Sequence, residues 1–171
     1  MKNELRAIAM KCACIVGLAV MASGAIADPG DDNDPNGTIV GTWLSKVTTP
    51  NPPPGVPPVF LSLATFTGSG QAIEANNTTQ DRTVALGDWT RTGHRTFVRT
   101  MTFFVFGPGH VFANFTQVTS TIELSLDGET YTATNQFQLY NGSGMLLASG
   151  QNTSVANRCG LGDAIPACIP M

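Results

Sequence analysis

Three stretches of the chain carry residues whose types and spacing suit chemistry. The first is Asp32-Asn33-Asp34-Pro35-Asn36-Gly37-Thr38. A calcium loop takes side-chain oxygens at positions 1, 3 and 5, glycine at 6, a backbone carbonyl at 7 and a bidentate glutamate at 12. Asp32, Asp34, Asn36, Gly37 and Thr38 fit the first half, but position 12 is Trp43, which cannot coordinate. Half a loop implies calcium affinity of about millimolar at best. The stretch therefore reads as a disordered acidic leader ending in an Asn-Gly turn, and no metal site is assigned. The second stretch, "GDWTRTGHRTF" (87–97), gathers Asp88, Arg91, His94 and Arg95. Charge on a turn usually faces solvent, so it reads as a hairpin: Gly93 at positive φ, Trp89 packed near Phe97, the arginines forming a solvated rim. The third is Arg99, a lone charge inside the apolar run "TFVRTMTFFVF". If Phe97, Met101 and Phe103 face inward, Arg99 does too, and it can pair with a ligand carboxylate through charge-assisted contacts. The competing reading has Arg99 snorkelling outward or pairing with Glu123.

These residues need elements to position them. No long segment repeats its apolar residues at helical spacing; short β-rich runs alternate with Gly, Pro, Asn and Asp punctuation. The runs are 39–47, 59–67, 71–75, 84–91, 95–106, 110–126, 129–140 and 145–157. Asp127-Gly128 is the sharpest hairpin signal, because a type I′ turn needs positive φ. Eight runs joined mostly by hairpins predict an all-β fold, a single eight-stranded antiparallel up-and-down barrel. In the seventh run Tyr131, Ala133, Asn135, Phe137 and Leu139 share one face. In the sixth, Val118, Ile122, Leu124 and Leu126 do, with a bulge expected near Asn114–Thr116. The fifth run is apolar on both faces, which implies a covering element or a second copy outside.

Gly41-Thr42-Trp43 heads the first strand, and Arg158 ends the last. The pair resembles the Gly-x-Trp signature of lipocalins and related calycins, whose last-strand arginine packs over the tryptophan and closes the barrel base. The resemblance implies a base of Gly41, Trp43 and Arg158, with an Arg-over-Trp cation–π contact. It covers strand number, strand order and these few residues. The Thr-Asp-Tyr motif and the C-terminal helix of lipocalins are missing. The layout is also similar to allene oxide cyclase and dirigent barrels, and overall to lipocalin-like barrels of secreted bacterial proteins.

A meander puts alternate loops at opposite ends. The Pro-rich loop "TTPNPPPGVPP", "NNTTQDR", "GPG" and "NGSG" share one end, which their length marks as the mouth. His94 lies at the base and His110 at the mouth. The intervening strand of about 12 residues spans roughly 40 Å, so the two histidines cannot share a metal or a catalytic step. Glu74, Asp81 and His110 are a candidate acid–base group at the mouth, with solvated loop residues as the plainer reading. No nucleophile elbow, phosphate-binding glycine loop or zinc motif occurs.

Residues 1–27 read as a secretory signal peptide: Lys2, Arg6 and Lys11, an apolar run over Cys12–Ala22, then Ala25-Ile26-Ala27 as cleavage site. A leader (28–38), a barrel domain (39–158) and a tail (159–171) follow. The expected location is secreted or periplasmic, with no transmembrane segment after cleavage. In an exported tail, Cys159 and Cys168 are expected to form a disulfide. The signal carries Lys2, Arg6 and Lys11 against Glu4, so the chain's formal −3 becomes −5 without it. With no basic stripe, nucleic acid is not an expected partner.

The leading functional reading is a binding module for a small apolar or amphipathic molecule. Its lumen candidates are Arg99, Phe103, Val118, Tyr131, Asn135, Phe137 and Leu139. No catalytic residue and no cofactor is assigned. The alternatives are a cyclase or isomerase, which the allene oxide cyclase resemblance implies, and a structural barrel with a filled core, whose apolar outer faces would mark contacts between copies.

Overall fold

The computed structural model describes residues 37–52, 56–78, 80–160 and 162–171. The expected signal peptide, the calcium-like residues Asp32, Asp34 and Asn36, and the rest of the expected leader before Gly37 lie outside the described residues. The chain forms β1 (Gly41–Thr48), β2 (Val59–Phe66), β3 (Gln71–Asn76), β4 (Ala85–Arg91), β5 (Thr96–Gly107), β6 (Val111–Leu124), β7 (Thr130–Tyr140) and β8 (Leu146–Cys159), then a helical turn α1 (Ile165–Cys168). Each strand pairs antiparallel with the next, and β8 pairs with β1, so the eight strands close into an up-and-down barrel. Closure leaves no open sheet edge. Among the described residues, no helix is long and apolar enough to cross a membrane.

Period-2 alternation sets the faces. Phe97, Arg99, Met101, Phe103 and Val105 alternate as the buried positions of β5. Tyr131, Ala133, Asn135 and Phe137 do so in β7. Leu126 lies beyond β6 in the turn and is 83% exposed, so it does not continue the inward row of Ile122 and Leu124. The expected bulge in β6 falls one residue early. Val105 pairs with Asn114 and Phe106 with Phe112, leaving Ala113 as the extra residue. The opposite faces keep exposed apolar side chains, among them Phe104 edge-on to Phe112 at 6.1 Å.

The base is built around Trp43, which is fully buried. Its Nε1 donates to the Ile39 carbonyl at 2.8 Å. The Arg158 guanidinium sits 4.3 Å from the Trp43 ring centroid. Its three nitrogens donate to Gly128 O (2.9 Å), Val40 O (2.7 Å) and Thr38 O (2.7 Å). Burial pushes the Arg158 pKa down from its ordinary value, with Glu129 opposing. Gly41 has φ +137°, and a Cβ there would stand 2.8 Å from Arg158 Nη1. The Gly-x-Trp spacing therefore has a mechanical cause: glycine makes room for the arginine that covers the tryptophan.

Two expectations about turns and tail are corrected. Gly93 is not among the positive-φ residues; the turn closes instead through Thr92 N–H and Gly93 N–H, both donating to Thr96 O. The arginines of that hairpin do more than face solvent. Arg91 donates to Gly37 O, and Arg95 donates to Ser125 O at 2.6 Å, tying strand ends to the base. In the tail, Cys159 and Cys168 are free thiols, so the expected disulfide is not formed. Cys168 is buried, with Sγ 4.0 Å from Ala164 O within its own helical turn. Partial burial and hydrogen bonding to Cys168 push the Cys159 pKa up to about 11. The thiolate is the species that attacks, and at neutral pH this thiol is almost wholly protonated.

Three measurements test the base and the tail. Arg158→Lys keeps the charge but loses the three-way fork, and should cost about 2 kcal/mol, or Tm lower by roughly 4–8 °C. Gly41→Ala should cost a similar ~2 kcal/mol through its positive φ and the clash; calorimetry measures both. Alkylation of native Cys159 by iodoacetamide, followed by peptide mass spectrometry, should accelerate about tenfold per pH unit up to near pH 11. A rate that levels off near pH 9 would show an ordinary thiol.

Candidate functional site

Above the base the lumen opens into a cavity of about 230 Å³. Strand direction orders its levels. The lowest is a cluster of rings: Tyr131 lies 4.9 Å from Trp43 and 6.5 Å from Phe66, and Trp89 bridges Phe66 (6.3 Å) and Phe97 (5.7 Å). Tyr131 belongs to this level and does not line the cavity. Its hydroxyl is 2.9 Å from Ser45 Oγ. Burial raises its pKa, with Arg99 opposing.

On the rings rests a polar floor. Arg99, 5% exposed, stands 5.4 Å over the Phe66 ring. Its Nη2 donates to Ser120 Oγ at 3.2 Å. Its Nη1 approaches Glu74 Oε2 to 3.1 Å, inside ion-pair range but too poorly directed for a hydrogen bond. Neither outward snorkelling nor Glu123 is the answer: Glu123 faces outward on β6, and the partner comes from β3. Asn135 Nδ2 donates to Asn152 Oδ1 (2.7 Å) and Ser154 Oγ (3.3 Å). Arg99, Ser120, Asn135 and Asn152 are consecutive register partners across β5 to β8, so they form one row inside the wall.

The wall above is apolar. Val47, Phe60, Phe103, Val118, Phe137 and Leu139 line it. Phe137 owes its place to Gly150, its direct partner on β8, because a Cβ at Gly150 would lie 2.4 Å from the Phe137 Cζ. Sequence reading missed Gly150; a glycine inside a strand was the available signal. Thr78, Gln80 and Arg82 from the "NNTTQDR" loop and Val56 from the Pro-rich loop reach the cavity at the mouth. The Arg82 guanidinium lies 3.7 Å from the Phe103 ring centroid. Burial lowers its pKa, with Glu74 opposing.

Of the seven expected lumen residues, Arg99, Phe103, Val118, Asn135, Phe137 and Leu139 line the cavity and Tyr131 supports it from below. The expected mouth group of Glu74, Asp81 and His110 separates. His110 Nδ1 is 2.8 Å from Asp81 Oδ2, both exposed, and its ring stacks on Phe106 at 4.2 Å. Glu74 lies deeper, with Arg99. Its inward position on a short strand was readable only once the register was known. Among the described lining residues there is no histidine or cysteine. Among the described residues no three His, Cys, Asp or Glu side chains converge as a metal site.

Fold and site define a closed eight-stranded antiparallel barrel with a sealed base and an internal cavity open at the loop-rich end. No protein family matches the chain, and no curated protein or solved structure matches it.

A buried ion pair is sensitive to losing one member. Arg99→Met should leave Glu74 with only Arg82 to oppose its charge and destabilise the fold by about 3 kcal/mol. Adding Glu74→Gln should recover more than half of that, and urea unfolding of the double-mutant cycle reads the coupling. Equal, additive losses would show that the pair is not coupled.

Proposed function

We propose that this protein is an exported, lipocalin-like barrel that holds a small amphipathic molecule in its lumen. One observation carries the reading: a cavity of about 230 Å³ with an apolar wall and, on its floor and toward its mouth, buried polar atoms without hydrogen-bond partners. Buried polar groups are normally hydrogen-bonded, and leaving one unpaired costs about 1–3 kcal/mol. Arg99 Nε and Nη1, Asn135 Oδ1, Asn114 Oδ1, Thr49 Oγ1 and Arg82 Nη2 are all such atoms, and all six belong to side chains that line this cavity. A molecule with an apolar body and a polar end supplies what both levels lack. The volume is below the roughly 300–1,000 Å³ of sites for drug-sized ligands, which limits the occupant to a smaller one. The Gly41–Trp43–Arg158 base supports the likeness to lipocalins. The N-terminal pattern of residues 1–27 supports export.

Native mass spectrometry of protein recovered from the exported fraction tests this. The expected result is a co-purifying small molecule that survives gentle desolvation. Val118→Trp, which fills the wall, should lose it, while circular dichroism stays unchanged. Retention of the bound mass by the plugged barrel would place the ligand elsewhere and sink the reading.

A further inference from the structure

The outer surface of the barrel differs between its two ends. The four strands that descend from the mouth begin with exposed apolar side chains. These are Val59 at the head of β2, Leu86 in β4 with Val84 just before it, Val111 and Phe112 in β6, and Leu146 and Leu147 in β8. The four strands that rise from the base begin instead with Gly41-Thr42, Gln71, Thr96 and Thr130. Phe104, near the mouth end of β5, packs edge-on against Phe112 at 6.1 Å, and Phe115 stacks on Tyr140 at 5.3 Å, so rings carry the band across β5 to β7. Charge is distributed the other way. Among the described residues the exposed titratable groups of the mouth are Asp81 and His110, 2.8 Å apart, while His94, Glu123, Asp127 and Glu129 are exposed toward the base.

We propose that the mouth end of the barrel seats in the surface of a lipid bilayer, held by apolar insertion rather than by attraction to anionic headgroups. The proposal goes beyond the binding reading above and does not depend on it. Large exposed apolar patches mark contacts with proteins or membranes, and the arrangement of this one selects between them. In a closed order of eight strands β4 lies opposite β8, and β2 lies opposite β6. All four carry the apolar band, so it stands on opposing sides of the rim. A second copy packed against one side of the wall would cover Leu86 or Leu147 but not both. A copy stacked mouth to mouth would cover the loops and leave Leu86 and Phe104, on the flank of the wall, in water. An apolar layer crossed by the barrel axis covers every side at once, and an amphipathic ring such as Tyr140 suits its boundary.

The height of the band sets the depth. A spanning barrel needs an outward apolar band about 25 Å tall. The outward row of β7 below Tyr140 is Gln138, Gln136, Thr134, Thr132 and Thr130, all exposed, and β8 turns polar at Ser149, Gln151 and Thr153. The band therefore matches the roughly 5–10 Å of an interfacial contact. Leu63, Ile73 and Val155 stand further from the mouth along their strands, and Leu126 is alone in a base turn. The chain is net negative and has no basic cluster, so an anionic surface has nothing to attract.

Flotation with vesicles of phosphatidylcholine alone, using protein recovered from the exported fraction, tests this. The protein should float with the vesicles, and neither raised salt nor added phosphatidylglycerol should alter the bound fraction upward. Leu86→Asn and Leu147→Asn, on opposite sides of the rim, should each weaken partitioning about fivefold, as partial loss of one apolar side chain's burial implies. Leu126→Asn at the base should leave it unchanged. Val118→Trp, which fills the cavity, should float as well as the unsubstituted protein, and circular dichroism checks that each variant is folded. Failure to float, binding indifferent to the rim substitutions or sensitive on one side only, or loss of binding in Val118→Trp overturns the proposal. A lipid-free dimer, seen by light scattering and dissociated by Leu86→Asn or Leu147→Asn, makes the band a contact between copies and also overturns it. The binding reading survives each of these results, because it rests on the co-purifying mass and not on vesicles.

Discussion

The fold depends on one side chain reaching across a seam. A barrel exists only if its last strand meets its first, and Arg158 is where that junction is reinforced. It faces its register partner Trp43, covers the indole and donates to carbonyls of the β7 approach turn and of the segment leading into β1. Those carbonyls would otherwise need water at a closed base. The contact also fixes where the barrel begins, since the Trp43 indole is bonded to Ile39 just upstream. Arg91 repeats the device from β4 by donating to Gly37. Two arginines thus turn the incoming chain into part of the base plug.

A base sealed this way frees the other end of the lumen from the duty of holding the fold together. The aromatic cluster of Trp43, Phe66, Trp89, Phe97 and Tyr131 supplies the buried area. The polar floor above it is harder to justify as stabilisation. A buried ion pair is often no better for stability than apolar side chains of the same volume, and this one keeps polar atoms unpaired around it. Six atoms without hydrogen-bond partners, on the floor and toward the mouth of one cavity lined by aliphatic and aromatic side chains, form a pattern. Such departures from local rules are expected where a protein does its work.

The sequence revealed this architecture unevenly, and the reasons are physical. Hairpin turns and period-2 runs are local, so the eight strands were readable to within about two residues, as were the two ends of the meander. The phase of β5 was not readable, because its run is apolar on both faces; only the closed barrel shows that Phe97, Arg99, Met101 and Phe103 are the buried positions. What was not readable depends on register between strands distant in sequence. Glu74 faces Arg99 only because β3 and β5 flank β4 across a curved wall. The bulge at Ala113 and the space at Gly150 depend on a partner strand as well. Tyr131 shares its face with Asn135 and Phe137, so alternation alone put it in the cavity; its depth near the base put it among the rings instead.

The paired thiols and the calcium-like leader show how a motif loses to its surroundings. Two cysteines nine positions apart suggest a bond from spacing. Yet both are free thiols: Cys159 ends a strand, Cys168 ends a helical turn, and partial burial with Cys168 beside it pushes the Cys159 pKa up to about 11. Chemistry at sulfur follows the microenvironment more than the spacing. The leader fails for a simpler reason. Its twelfth position is Trp43, and a side chain with no oxygen cannot complete a calcium shell. That same indole, fully buried and covered by Arg158, is the centre of the base. One residue therefore bears on two questions: its side chain gives a calcium loop no twelfth ligand, and it forms the centre of the barrel's base.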